Sequence, residues 1–224
     1  MALRIPVVVS LSLVALGASL AANAQAPAPF KGDAARGHEL TYTCNGCHAV
    51  ANYKNVYPTY SVPKLHGQRP EYIVAALKEY KSGERSHGTM HSQASTMSEQ
   101  DMWDIAVYLA GPEVLTKSEN DPSLKSPEHR PSVTDTCIAC HGTNGVGITA
   151  DYPSLAGQHK DYLVRALTDY KKGGRKNPIM GGQVASLTPE DIKAAAEFFS
   201  TRDPSLEPVQ VNRFFFSSTD QPAK

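Results

Sequence analysis

The chain has 224 residues, is 41% hydrophobic and 20% charged, and balances 22 basic against 22 acidic side chains. That is ordinary globular composition, long enough for one or two domains. A formal charge of zero removes the electrostatic case for a nucleic-acid partner.

Residues 1–24 read as a secretory signal peptide. Arg4 supplies a positive start, Val7 to Leu20 an apolar run, and Ala22-Asn23-Ala24 a small-residue cleavage site. The alternative is an uncleaved anchor. The run is short for a bilayer span, and a polar, Pro-containing spacer (Gln25 to Pro29) follows it. The mature chain is therefore expected to begin near Gln25 and to work in the periplasm. With no cysteine at the junction to carry lipid, any membrane association is peripheral at most.

The mature chain is an internal duplication. Leu65 to Arg85 lies over Leu155 to Arg175 with eleven of 21 positions identical at a shift of 90. The expected layout is a first domain over 25–112, a polar linker over 113–131, a second domain over 132–203 and a tail over 204–224. Each repeat reads as helical. Asp33 caps a helix running to about Thr43, which leads into Cys44-Asn45-Gly46-Cys47-His48. The second copy carries Cys137-Ile138-Ala139-Cys140-His141, here at a shift of 93. The first loop after the motif, Ala49 to Val62, is thus three residues longer and holds Tyr53, Tyr57 and Tyr60. Tyr72, Ile73, Ala76, Leu77 and Tyr80 form the apolar face of the next helix, which Gly83 stops. The last helix opens at Ser98, or at Thr188-Pro189 in the second copy. Gly111-Pro112 ends the first domain, and the tail contains Phe214-Phe215-Phe216.

The two five-residue motifs carry the chemistry. C-x-x-C-H is the c-type haem attachment pattern. On a helical turn, positions i, i+3 and i+4 share a face, so two thiols and an imidazole meet one flat ligand. Cys44, Cys47, Cys137 and Cys140 are the expected thioether attachments of two covalent haem c groups. His48 and His141 are the expected proximal iron ligands. Two disulfides, a thiol–disulfide pair or a zinc site each use the cysteines but leave unexplained a histidine after both second cysteines.

A sixth ligand is expected downstream. Met90 and Met180 lie at equivalent positions, five residues after Arg85 and Arg175, on what reads as a loop between the apolar helices. A thioether there is a soft ligand that raises the reduction potential. Met97 and Met102 read as core filler, because their counterparts are Leu187 and Ile192. The carbonyls of Pro63 and Pro153 are expected to hold the ring N–H groups of His48 and His141. Arg85 and Arg175 are either partners for haem propionates or solvated surface cations.

Taken together, the paired C-x-x-C-H motifs, the paired P-x-L-x-G-Q-x-x-x-Y segments and the two late methionines resemble the di-haem cytochrome c4 family over about residues 32–200. The resemblance implies an all-α fold of two tandem class I cytochrome c-like domains, with haems near the domain interface. It also implies electron transfer from a quinol-oxidising complex towards a terminal oxidase. Two departures stand out. The second repeat lacks the run Gly32-Asp33…Gly37, so its first helix should be short, and the first haem loop replaces Gly142 to Gly147 with a tyrosine-bearing stretch. Two protein ligands per iron leave no open position, which favours an electron carrier over an enzyme. The rivals are a di-haem oxidoreductase, kept open by His66, His87 and His91, and a haem subunit of a larger dehydrogenase.

Overall fold

The computed structural model describes residues 32–112, 114–115, 130–203 and 206–210. The leader, most of the linker and the Phe214–Phe216 triplet lie outside the described residues.

The first domain opens with α1 (Ala34–Leu40), whose Asp33 carboxylate accepts from the amides of Ala35 and Arg36. The expected helix to Thr43 is broken at Thr41. There the buried hydroxyl donates to the His38 carbonyl at 2.9 Å and competes with the helical ladder. A second helix, α2 (Tyr42–His48), then carries the whole first motif. The hairpin β1 (Lys54–Val56) and β2 (Thr59–Ser61) follows, in register Lys54↔Ser61. It was not read from the sequence, where each repeat looked wholly helical. The chain continues through α3 (Pro70–Ser82), α4 (Gly88–Ala94) and α5 (Glu99–Ala110).

The second domain repeats the plan with a reduced start. A single 3₁₀ turn (Ser132–Thr134) and the four-residue α6 (Ile138–His141) replace α1 and α2, as the missing Gly-Asp run implied. Then come α7 (Lys160–Lys172), α8 (Pro178–Val184) and α9 (Pro189–Ser200). Local chemistry sets these boundaries identically in both copies. Gly83 and Gly173 end α3 and α7 at φ of 80° and 79°, a left-handed conformation that side chains disfavour. Ser98 with Asp101, and Thr188 with Asp191, form full capping boxes on α5 and α9.

In each domain the long middle helix packs on the last one. Ile73 and Leu77 of α3 meet Met102, Ile105 and Leu109 of α5, all under 7% exposed. Leu163 of α7 meets Ala196 and Phe199 of α9. In the first domain α1 crosses α5 so closely that Gly37 is required. A Cβ there would sit 2.0 Å from the Asp104 carbonyl oxygen. Asp104, 1% exposed, anchors that crossing by accepting the Asp33 amide at 2.8 Å and pairing with Arg36.

The domains are joined by paired contacts. Arg85 and Arg175 form an antiparallel bridge, with Ser86 N–H donating to Gly174 and Lys176 N–H to Glu84, both at 2.8 Å. The hairpin leans on α7: the Ser61 amide and hydroxyl reach Asp161 at 3.0 and 2.9 Å, and Arg165 stacks over Tyr60. After α9 the chain turns back across both domains. Leu206 N–H bonds Ala156, Glu207 pairs with His66, and Val209 enters the first core while donating to the His48 carbonyl at 3.0 Å.

Candidate functional site

Helix α2 turns Cys44, Cys47 and His48 towards one cavity of about 340 Å³, which α3, α4 and α5 close with Ile73, Leu77, Met90 and Ile105. That size and lining suit a large, mostly apolar cofactor. All four cysteines are free and half-buried. Among the described residues no three Cys, His, Asp or Glu side chains gather as a metal cage. The disulfide and zinc alternatives therefore find no geometry here, whereas the haem alternative finds thiols, imidazole and an apolar slot together.

Each motif histidine is held as a metal ligand needs to be. His48 Nδ1 lies 3.0 Å from the Pro63 carbonyl, and His141 Nδ1 lies 2.9 Å from the Pro153 carbonyl. Each Nδ1–H donates, leaving the Nε2 lone pair free. Desolvation pushes both imidazoles below the ordinary histidine range, against the proline carbonyls, which pull upward. Neutral imidazole is the form that binds iron. His141 is buried, edge-on to Tyr152 and Phe199.

The late methionines are on helices, not on the loop that the sequence suggested. Met90 and Met180 occupy the third positions of α4 and α8, and each backbone amide donates to the side chain that caps its helix. For Met90 the acceptor is His87 Nδ1 at 3.2 Å; for Met180 it is Asn177 Oδ1 at 3.0 Å. The short helices escaped the sequence reading because they bury only Ala94 and Val184 and show no apolar face. This capping also bears on the rival histidines. Desolvation lowers the His87 pKa, and a neutral ring that accepts at Nδ1 carries its proton on Nε2, so it has no lone pair for iron. His91 Nδ1 is 2.8 Å from the Tyr80 carbonyl, and His66 packs its ring against Gly111; neither lines the cavity.

Arg85 and Arg175 are not solvated surface cations. They are 3% and 6% exposed, and both line the cavity. Arg85 pairs with Glu79 at 2.7 Å and lies over Tyr72 and Tyr80. Arg175 lies over Tyr162 and Tyr170 and donates to the Tyr162 hydroxyl at 3.2 Å. Among the described residues Arg175 has no carboxylate partner. Tyr72 and Tyr80 were legible as part of an apolar helical face; that each pair of tyrosines sandwiches its own repeat's arginine was not.

A cytochrome c family model matches residues 34–111 and again 132–203. The chain is 33% identical to cytochrome c4 of Pseudomonas aeruginosa over 183 residues, covering 75% of this chain and 87% of that protein. It belongs to the di-haem cytochrome c4 family. The crystal structure of reduced cytochrome c4 from Pseudomonas stutzeri superposes with a TM-score of 0.60 at 30% identity, over 76% of this chain and 99% of that one. The thiosulfate dehydrogenase of Marichromatium purpuratum is similar too, with a TM-score of 0.59 at 25% identity, over 75% of this chain and 40% of that one. The fold is thus mostly helical with two tandem cytochrome c domains. This cytochrome carries two covalently bound haem c groups and is an electron carrier that works with redox-protein partners. No helix among the described residues is long and apolar enough to cross a membrane.

Proposed function

We propose that this cytochrome c4 homologue shuttles single electrons in the periplasm, with Cys44 and Cys47 holding one haem and Cys137 and Cys140 the other. His48 with Met90 would hold the iron of the first haem, and His141 with Met180 that of the second. When bound, each haem supplies a one-electron ferric/ferrous couple, and the protein leaves no open position for a substrate. The observation that carries this reading is that Cys44, Cys47, His48 and Met90 line one cavity. The second site follows by the repeat, with the same proline carbonyl behind His141 and the same capped methionine.

Arg175, buried and without a carboxylate partner among the described residues, is a propionate ligand at the domain interface, with Arg85 beside it. The domains run over 25–112 and 132–203, joined by 113–131 and preceded by a leader removed after Ala24. A quinol-oxidising complex or a dehydrogenase donates electrons, and a terminal oxidase accepts them. The likeness to a thiosulfate dehydrogenase supports the dehydrogenase as donor.

The test is turnover. Purified holoprotein should take up two electrons per chain in reversible one-electron steps, be reduced rapidly by such a donor, and leave thiosulfate and peroxide untouched when alone. Multiple turnovers of either substrate by the isolated protein would establish the enzyme reading instead.

A further inference from the structure

The glutamines of the repeated P-x-L-x-G-Q segments reach across the domain interface to the peptides that hold the opposite histidines. The Lys64 amide donates to Gln158 Oε1 at 3.0 Å, and Gln158 Nε2 donates back to the Lys64 carbonyl at 2.9 Å. The mirror pair is the Ser154 amide to Gln68 Oε1 at 2.9 Å, with Gln68 Nε2 to the Ser154 carbonyl at 2.9 Å. Both glutamines are buried, at 3% and 4% exposure. Each Oε1 is steadied by the amide of the next residue, Arg69 or His159, at 3.0 Å.

The Lys64 N–H and the Pro63 carbonyl belong to one peptide unit. So do the Ser154 N–H and the Pro153 carbonyl. His48 Nδ1–H therefore donates to a peptide whose other end is gripped by Gln158 of the second domain. His141 donates to a peptide gripped by Gln68 of the first. Hydrogen bonds in series polarise one another. A bond accepted from the peptide N–H makes its carbonyl oxygen more negative and a stronger acceptor. The stronger pull on Nδ1–H enriches the imidazole in electron density and favours ferric over ferrous iron.

We propose that Gln158 and Gln68 are crossed positioning residues: each lowers the reduction potential of the haem in the other domain, through the peptide that binds its histidine. This rests on the reading of His48 and His141 as iron ligands. It gives the interface a redox role beyond holding two domains together. It also accounts for a glutamine in both copies, because a side-chain amide presents an acceptor and a donor side by side, matching the N–H and the C=O of the opposite residue.

The experiment uses full-length holoprotein and two variants of similar volume, Gln158→Met and Gln68→Met, with potentials resolved haem by haem by NMR-monitored titration. Gln158→Met should shift the first haem's ferric/ferrous equilibrium towards ferrous by about two- to tenfold, tenfold being about 59 mV for one electron. The second haem should stay put, and Gln68→Met should do the converse. The His48 Nδ1–H resonance of reduced protein should move upfield in Gln158→Met, and that of His141 in Gln68→Met. A shift confined to the mutated domain's own haem, an equal shift of both, or no shift overturns the proposal. If a variant does not fold, wild-type protein decides: the Lys64 and Ser154 amide protons should exchange slowly, and free exchange overturns it. Failure of the ligand reading is distinct, since it removes the low-spin His/Met spectrum from the wild-type haem itself.

Discussion

Replacing Gly37 with alanine tests the crossing that positions the first motif. An alanine Cβ would lie 2.0 Å from the Asp104 carbonyl oxygen and 2.6 Å from its carbon, both backbone atoms of α5. Neither atom has a rotamer to escape into, so α1 must move away by roughly 1–1.5 Å to restore ordinary contact. Overpacking of this kind costs about 1–3 kcal/mol. The displacement also stretches the Asp33 amide bond to the buried Asp104 carboxylate, a contact worth about 1.5–3 kcal/mol. The better helix propensity of alanine returns up to about 1 kcal/mol. The net expectation is a loss of about 1.5–5 kcal/mol, confined to the first domain. Gly182→Ala is the control: it sits in α8, and its Cβ would meet nothing within 4 Å. It should stabilise the second domain by a fraction of a kcal/mol to about 1 kcal/mol. Urea denaturation of holoprotein, followed by haem absorbance, reads both. Equal midpoints for the two variants would refute the reasoning.

Other expectations follow from the same geometry. Hydrogen bonds from Ser98, reinforced by Arg36, hold Asp101 down to about 2. A depressed carboxylate contributes stability that is complete above its ordinary pKa near 4 and lost as pH falls towards about 2. Asp101→Asn should therefore lower the first domain's urea midpoint at pH 7 and leave it nearly unchanged near pH 2. An equal effect at both would show that the charge plays no part. Leu206 is fully buried in the returning strap, so Leu206→Ala should cost about 2–5 kcal/mol, read as a lower melting temperature. A melting temperature within a degree of wild type would mean that the strap is not docked in solution.

What was legible in the sequence was local. The C-x-x-C-H spacing, the helix stop at Gly83 and the helix starts at Ser98 and Thr188-Pro189 each act within four or five residues, and the repeat reinforced them. The proline carbonyls behind His48 and His141 lie 15 and 12 residues downstream, and the repeated Pro-x-Leu segment after each motif is what made them legible. The hairpin was missed because its strands are three residues each and take part of their support from Asp161 and Arg165 in the other domain. The helices under Met90 and Met180 were missed because a capping side chain, not an apolar stripe, starts them. Arg85 and Arg175 could not be told from surface cations, because they pair across a 90-residue separation that closes only when both repeats fold against each other.

Carbon monoxide binding to the ferrous protein tests the central claim most directly. If His48 with Met90 and His141 with Met180 saturate both irons, reduced wild-type protein should leave its spectrum unchanged under carbon monoxide. Met180→Leu should lower the second haem's potential and open that haem alone, and Met90→Leu should open the first. Ready carbon monoxide binding by the wild type, or an unaltered spectrum in the Met90→Leu variant, would contradict the account and return the first haem to an enzymatic role.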